Sequence, residues 1–226
     1  MPIADFLQIL ENGPTGTGSV FNPWRDHDER DRAPRREAPK RRRENMAAYL
    51  DARTRSARVL LLGEAPSHRG ARFTGIAFCS EVELTQKRDL VAREPLALTS
   101  VNAHEKPVRE RSAAVIWGEL DRAGCAHQVV LWNAFPWHPH GDTVTSNRKP
   151  RLSEVAQGRE ALAALLSCFS YKLSIFAVGK VAEEALRRWE EAPCSGYIRH
   201  PAQGGEGKFR SQFRLHVAAP HLGREP

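Results

Sequence analysis

The sequence predicts an α/β protein, a three-layer α/β/α sandwich with a central, mostly parallel sheet of about four strands. Two observations predict it. Short apolar runs at Val59–Leu62, Gln128–Trp132 and Leu173–Val178 read as strands buried on both faces. Segments with helical spacing of apolar residues lie between them, and strands alternating with helices imply a parallel sheet covered on both sides.

Ile3–Leu10 spaces its apolar residues as a short helix. Asn12–Trp24 reads as loop, with Phe21, Pro23 and Trp24 placed to fold back over the main body. From Arg25 to Arg43 the composition turns to charge (RDHDERDRAPRREAPKRRR), the pattern of a solvated, partly disordered linker. Within it, the Lys40–Arg43 cluster is a candidate phosphate contact. The chain therefore divides into residues 1–43, a helix and linker, and residues 44–226, the main domain. Glu44–Arg55 is the helix leading into the Val59 strand.

That strand ends at Gly63, where a turn presents Glu64, Ala65, Pro66, Ser67 and His68 at its carboxyl end. Ligands of open α/β sheets bind at that end of the strands. A loop with Gly70 and Gly75 follows and closes on Phe78. Pro107 marks the start of a helix over Val108–Ala123, carrying Val115, Ile116 and Leu120, and Gly124 stops it. The Gln128–Trp132 strand delivers Asn133. Thr143–Arg151 is polar loop, and Ser153 and Glu154 open a helix reaching Cys168. The third strand ends at Gly179, followed by a helix over Val181–Trp189. A short fourth strand, Tyr197–Arg199, meets His200–Pro201 and the loop Ala202–Gly205, and Phe209–Phe213 is a final helix.

Composition narrows the partners. The formal net charge is +7 and the pI about 9.6, which favours an anionic partner such as nucleic acid. The four cysteines, Cys79, Cys125, Cys168 and Cys194, contain no C-x-x-C pair, against a zinc ribbon or iron–sulfur cluster. No secretory segment or membrane-length apolar run is present, so the expectation is a cytoplasmic protein with reduced thiols and no membrane partner. His138 and His140 form an H-x-H pair without an acidic or cysteine partner at ligand spacing, and no metal is expected.

The three strand ends direct polar groups to one rim: Glu64 to His68, Asn133, and His200. These groups suit a flat heterocycle with alternating carbonyls and N–H groups. Phe78 can stack on its face, and Asn133 can offer a carbonyl and an NH₂ to one edge. Neutral His200 can donate an N–H to a carbonyl that gains charge as a bond breaks. Glu64 can stabilise cationic character or orient water. Together they fit departure of a base from a sugar.

GEAPSH, GIAF ending at Phe78, WNAFPW and HPAQGG, in that order between Val59 and Phe213, resemble the uracil-DNA glycosylase superfamily. The resemblance implies that uracil lies among Gly63, Ala65, Ser67, Phe78 and Asn133, and that Glu64 and His200 are catalytic. Gly204 and Gly205 would allow close backbone approach to a phosphate, with His68 and Gln203 also toward DNA. The basic charge makes Arg69, Arg72 and Arg199, which lie beside the three site segments, the first candidates for DNA backbone contacts. Lys208 and Arg210 are weaker DNA-contact candidates. The classical enzymes carry an aspartate where Ala65 stands and a methyl-excluding tyrosine where Ser67 stands. GEAP is closer to the thermostable iron–sulfur branch, whose carboxylate falls at Glu64, although that branch's cluster cysteines are missing here. Glu64 then either activates water or orders the turn.

The inserted leucine of the classical enzymes is also absent from Ala202–Gly205, so single-stranded or mismatched DNA is the expected substrate. The implied activity is monofunctional: uracil leaves, an abasic site remains, and no cofactor takes part. The expected partners are uracil-containing DNA and the abasic product, bound by a monomer. A glycosylase for another deaminated base, and a non-catalytic module for abasic or single-stranded DNA, fit the same residues.

Overall fold

The computed structural model describes residues 1–14, 18–27, 29–94, 96–99, 106–143, 145–189 and 192–221. Parts of the Asn12–Trp24, Arg25–Arg43 and Thr143–Arg151 segments thus lie outside the described residues.

Helix α1 (Ile3–Glu11) is followed by the two-residue strand β1 (Val20–Phe21), helix α2 (Glu37–Asp51) and strand β2 (Val59–Gly63). Three short helices come next: α3 (Ala71–Thr74), α4 (Glu81–Gln86) and α5 (Arg88–Val91). Helix α6 (Arg111–Arg122) leads to strand β3 (Val129–Asn133), and β4 (His138–Pro139) to helix α7 (Leu152–Leu166). Strand β5 (Ser174–Val178), helix α8 (Lys180–Arg188), strand β6 (Cys194–Ile198) and helix α9 (Glu206–Phe213) complete the main body. A π-helical turn over Arg214–Ala218 and α10 (Ala219–His221) end the described chain.

The main sheet has the order β3-β2-β5-β6 and is parallel throughout. Every residue of β2 and β3 is buried, which is why both read as unbroken apolar runs. Register pairs Val59 with Val129 at one end and Gly63 with Asn133 at the other. The chain steps from β2 to β3, then crosses back over β2 to β5 and on to β6. Right-handed crossovers therefore send α6 to one face and α7 and α8 to the other. Consistent with this, α6 packs on α9, while α1 packs on α7, whose side chains share a groove with those of α8. The expected three layers are present.

Helix boundaries moved by a few residues. The helix expected from Val108 begins at Arg111, and the strand expected at Tyr197 begins at Cys194. The larger correction concerns the charged segment, which is built into the body. Helix α2 begins at Glu37, seven residues before the expected start, so residue 43 lies inside it. Arg42 is fully buried and bonds Asp31 and the Pro23 and Asp26 carbonyls. Arg43 bonds Glu11 and the Trp24 carbonyl. Lys40 pairs with Glu44. Charge runs read as solvated because burying an unpaired ion is costly; here the buried Arg42 has found oxygen partners. Phe21 and Trp24 do fold back: Phe21 pairs with His138, and Trp24 stacks on Trp132 at 6.2 Å.

Arg53 follows the same rule. Its guanidinium lies over the Tyr49 ring and donates to the carbonyls of Tyr49, Leu90, Val91, Ala126 and Val129, tying the end of α2 to the start of β3. Tyr49 in turn accepts from the Leu131 N–H at 2.7 Å, satisfying the open edge of β3. No described helix is long and apolar enough to cross a membrane.

Candidate active site

The carboxyl ends of all four main strands open into one cleft of about 850 Å³. Residues after β2 (Glu64 to Arg69), at the end of β3 (Asn133), after β5 (Gly179, Lys180) and after β6 (Arg199, His200) line it. In this strand order the connection reverses between β2 and β5, the crevice where doubly wound sheets bind ligands.

The turn leaving β2 is clamped by the chain leaving β3. Ala134 N–H donates to Gly63 O at 2.8 Å, and Phe135 N–H donates to Glu64 O at 3.0 Å. His138 Nδ1 donates to Pro66 O at 2.8 Å from the other side. Gly63 is a glycine because two site groups occupy the space of a side chain: a methyl there would overlap the Phe78 ring and stand 2.9 Å from Asn133 Oδ1. Phe78 and Asn133 thus meet over the last residue of β2. Phe78 holds φ at 51°, a left-handed conformation unusual for an aromatic, with its carbonyl bonded by Trp117 Nε1 at 2.9 Å. Strain of this kind persists where surrounding structure over-determines it, and it clusters at functional sites.

His200 sits with its ring centroid 5.9 Å from that of Phe78. Its Nδ1 accepts from Ala202 N–H at 3.1 Å, which places the neutral ring's proton on Nε2. Burial, then the neighbouring Arg199 charge, push its pKa down to about 4. The ring is therefore a neutral donor near pH 7. Glu64 is half-buried on the cleft wall; burial raises its pKa and the charge of Lys149 partly offsets this. A carboxyl held up by burial suits proton transfer more than one pinned in an ion pair.

Most of the expected site residues meet in this cleft. Ala65, Ser67, His68, Arg69, Arg199 and Gln203 line it with the groups above. Arg199 braces its own loop, donating to His200 O at 3.1 Å and to Gln203 O at 3.5 Å. Gly204 has φ at 73° and open space around it, whereas a side chain on Gly205 would overlap His200 O. Gly205 is thus required by packing within the loop.

Arg72 is a correction. It is fully buried, its guanidinium 4.2 Å from the Phe21 ring centroid and 5.2 Å from that of Phe73, and it does not line the cleft. Arg210 is committed to Glu119 and Glu206 at 2.5 and 2.9 Å.

Other cleft residues were not foreseen. Glu110, Asn147, Lys149 and Lys180 line it, and Asn147 Oδ1 accepts from the His68 backbone N–H at 2.9 Å. Only Lys180 had a local sequence signal, standing between a strand-ending glycine and a helix. The others come from polar loops or a helix start whose approach to the rim is a tertiary matter.

Two groups in the cleft make opposite contributions to acid stability. Burial moves His200 from 6.5 to about 4, so below pH 6.5 the unfolded chain takes up a proton that the folded chain resists, and stability falls with acidification. Burial raises Glu110 from 4.5 to about 7, so the folded chain holds a proton the unfolded chain releases, and stability falls as pH rises through that range. Relative to wild type, His200→Gln is expected to give a Tm that declines with pH between 4.5 and 6.5, and Glu110→Gln one that climbs. Melting curves parallel to wild type for both variants would contradict this assignment.

An aromatic, an amide, a neutral histidine and a carboxyl thus meet at the carboxyl ends of a doubly wound sheet, where ligands of such sheets bind. The family model described as the Uracil DNA glycosylase superfamily matches residues 51–221, and the chain belongs to that superfamily. Among solved structures, wild-type SMUG2 from Pedobacter heparinus is similar in fold, with a TM-score of 0.62 and 16% sequence identity over 95% of this chain and 98% of that one. No curated protein sequence matches.

Proposed function

We propose that this protein is a monofunctional uracil-DNA glycosylase of base excision repair, acting as a monomer in the cytoplasm on uracil flipped out of DNA. The observation that carries the reading is the meeting of Phe78, Asn133 and His200 around Gly63 and the end of β2. Phe78 offers its face to the base, and Asn133 its amide to one edge. As the bond between C1′ and N1 breaks, its electron pair moves onto the uracil ring and its O2. The His200 Nε2–H donates to that growing anion. The sugar becomes oxocarbenium-like, and Glu64 stabilises it and directs water to C1′, taking up the proton the water loses. The products are free uracil and an abasic site.

Exposed cations at the rim, Arg69, Arg109, Arg111, Lys149 and Lys180, suit the sequence-independent attraction to phosphates. Both lysines are open to solvent, whereas lysines that form Schiff bases are activated by desolvation, so the backbone is expected to remain uncut. A second reading, removal of another deaminated base, is favoured by the small Ser67 on the cleft wall.

The test is release of free base from a uracil-containing single strand and from its U·A and U·G duplexes. Uracil release is expected from all three, fastest from the single strand, because the Ala202–Gly205 loop has no bulky wedge to offset the cost of flipping. Asn133→Ala is expected to abolish release. Faster release from U·A duplex than from single strand would refute the strand preference. Binding of abasic DNA without release of any base would replace the enzyme by a binding module.

A further inference from the structure

Glu110 is, with Glu64, one of the two carboxyls among the described residues lining the cleft, and the proposed mechanism gives it no task. It immediately precedes α6 and lines the cleft. The residue is half-buried. Oε2 lies against Gly70, where a methyl group would overlap it, and the carboxyl accepts a hydrogen bond from the Ser67 hydroxyl. Ser67 Oγ also accepts from the Arg69 N–H at 3.3 Å, so this hydroxyl is fixed from two sides.

The charged and titratable groups felt here are Glu83 and the buried thiol of Cys79. Glu83 is engaged by the Ser80 N–H and hydroxyl at 2.9 and 2.5 Å, capping α4. Burial raises the Glu110 pKa to about 7, and among the described residues no cation offsets it. Of the turn residues that line the cleft, Ala65 and Ser67 are small, and Gly70, against which the carboxyl lies, has no side chain. A carboxyl from a distant segment thus occupies volume that a larger residue in the turn would otherwise fill.

We infer that Glu110 is a specificity-determining residue, which closes the side of the base pocket behind Ser67 and limits the size of the base edge accepted there. The inference rests on the proposed base-release activity. The substrate class it implies is an unsubstituted pyrimidine, with a ring methyl or a second ring disfavoured.

The experiment compares kcat/KM for release of uracil, thymine and hypoxanthine from otherwise identical single strands by wild type, Glu110→Ala, Glu110→Asp and Glu110→Gln. In Glu110→Ala the thymine-to-uracil and hypoxanthine-to-uracil ratios are expected to rise about tenfold or more, the scale of discrimination one methyl group carries in a pocket. Glu110→Asp withdraws the carboxyl while keeping the acid, and is expected to move the ratios the same way; it decides the matter if the alanine variant fails to fold. Glu110→Gln preserves volume and is expected to keep the wild-type ratios. A parallel loss for all three bases, or unchanged ratios in Glu110→Ala and Glu110→Asp, overturns the inference and leaves uracil release standing. Absence of base release by wild type overturns the activity on which it rests.

Discussion

Replacing His200 by alanine is expected to slow uracil release about 10²- to 10³-fold while leaving DNA binding nearly unchanged, the range for removing one preorganised donor to a developing oxyanion. The donor is preorganised by three features. Ala202 N–H occupies Nδ1 and so assigns the proton to Nε2. Arg199 holds the His200 carbonyl, and Gln212 Oε1 accepts from the Arg199 N–H at 2.7 Å, anchoring the loop to α9. Burial keeps the ring neutral down to about pH 4. A neutral donor matters: it stabilises charge that appears only as the bond breaks, so its loss should appear in kcat more than in KM. Single-turnover release, measured beside DNA binding, checks this. A loss under tenfold, or a loss carried by binding alone, would remove His200 from the catalytic role.

Gly63→Ala is the second large effect, expected to reduce release by about 100-fold or more with little loss of folding stability. The added methyl would overlap the outer ring atoms of Phe78 and stand 2.9 Å from Asn133 Oδ1. Both obstacles are the ends of side chains, so the backbone and the β2–β3 pairing need not move. The groups that must move are the pair proposed to hold the base, and a displacement of about 1 Å in positioning groups can cost 10²-fold. Leu62 and Asn133 keep their strand bonds, and Glu64 and His200 keep their chemistry. A Tm near wild type together with a collapsed rate is the expected pair of results. A wild-type rate would mean that Phe78 and Asn133 do not position the base, whereas a large fall in Tm would mean that Gly63 serves packing of the sheet.

Charge was where sequence and structure parted. Arg72 stood in a glycine-containing loop beside the site and read as a phosphate contact; in the fold it lies under Phe21 and Phe73, aromatics that only the tertiary packing brings around it. Arg42 sat in a run that read as solvated linker, and Asp31 with the Pro23 and Asp26 carbonyls draws it inside. Glu110 had no local signal, because the residues that enclose it, Ser67 and Gly70, lie on the other side of a long intervening segment.

The sequence by itself determined the α/β class, strands at Val59–Leu62, Gln128–Trp132 and Leu173–Val178, and the rim carrying Glu64, Asn133 and His200. A parallel strand buried on both faces must be a continuous apolar run, and the residues immediately after it must emerge at the sheet's carboxyl end. Only the tertiary structure decided which arginines face solvent, that the charged N-terminal segment is part of the body, and that Glu110 and Lys149 join the cleft. Burial of a strand is written in neighbours one or two residues away, whereas the burial of a charge depends on partners supplied from remote parts of the chain.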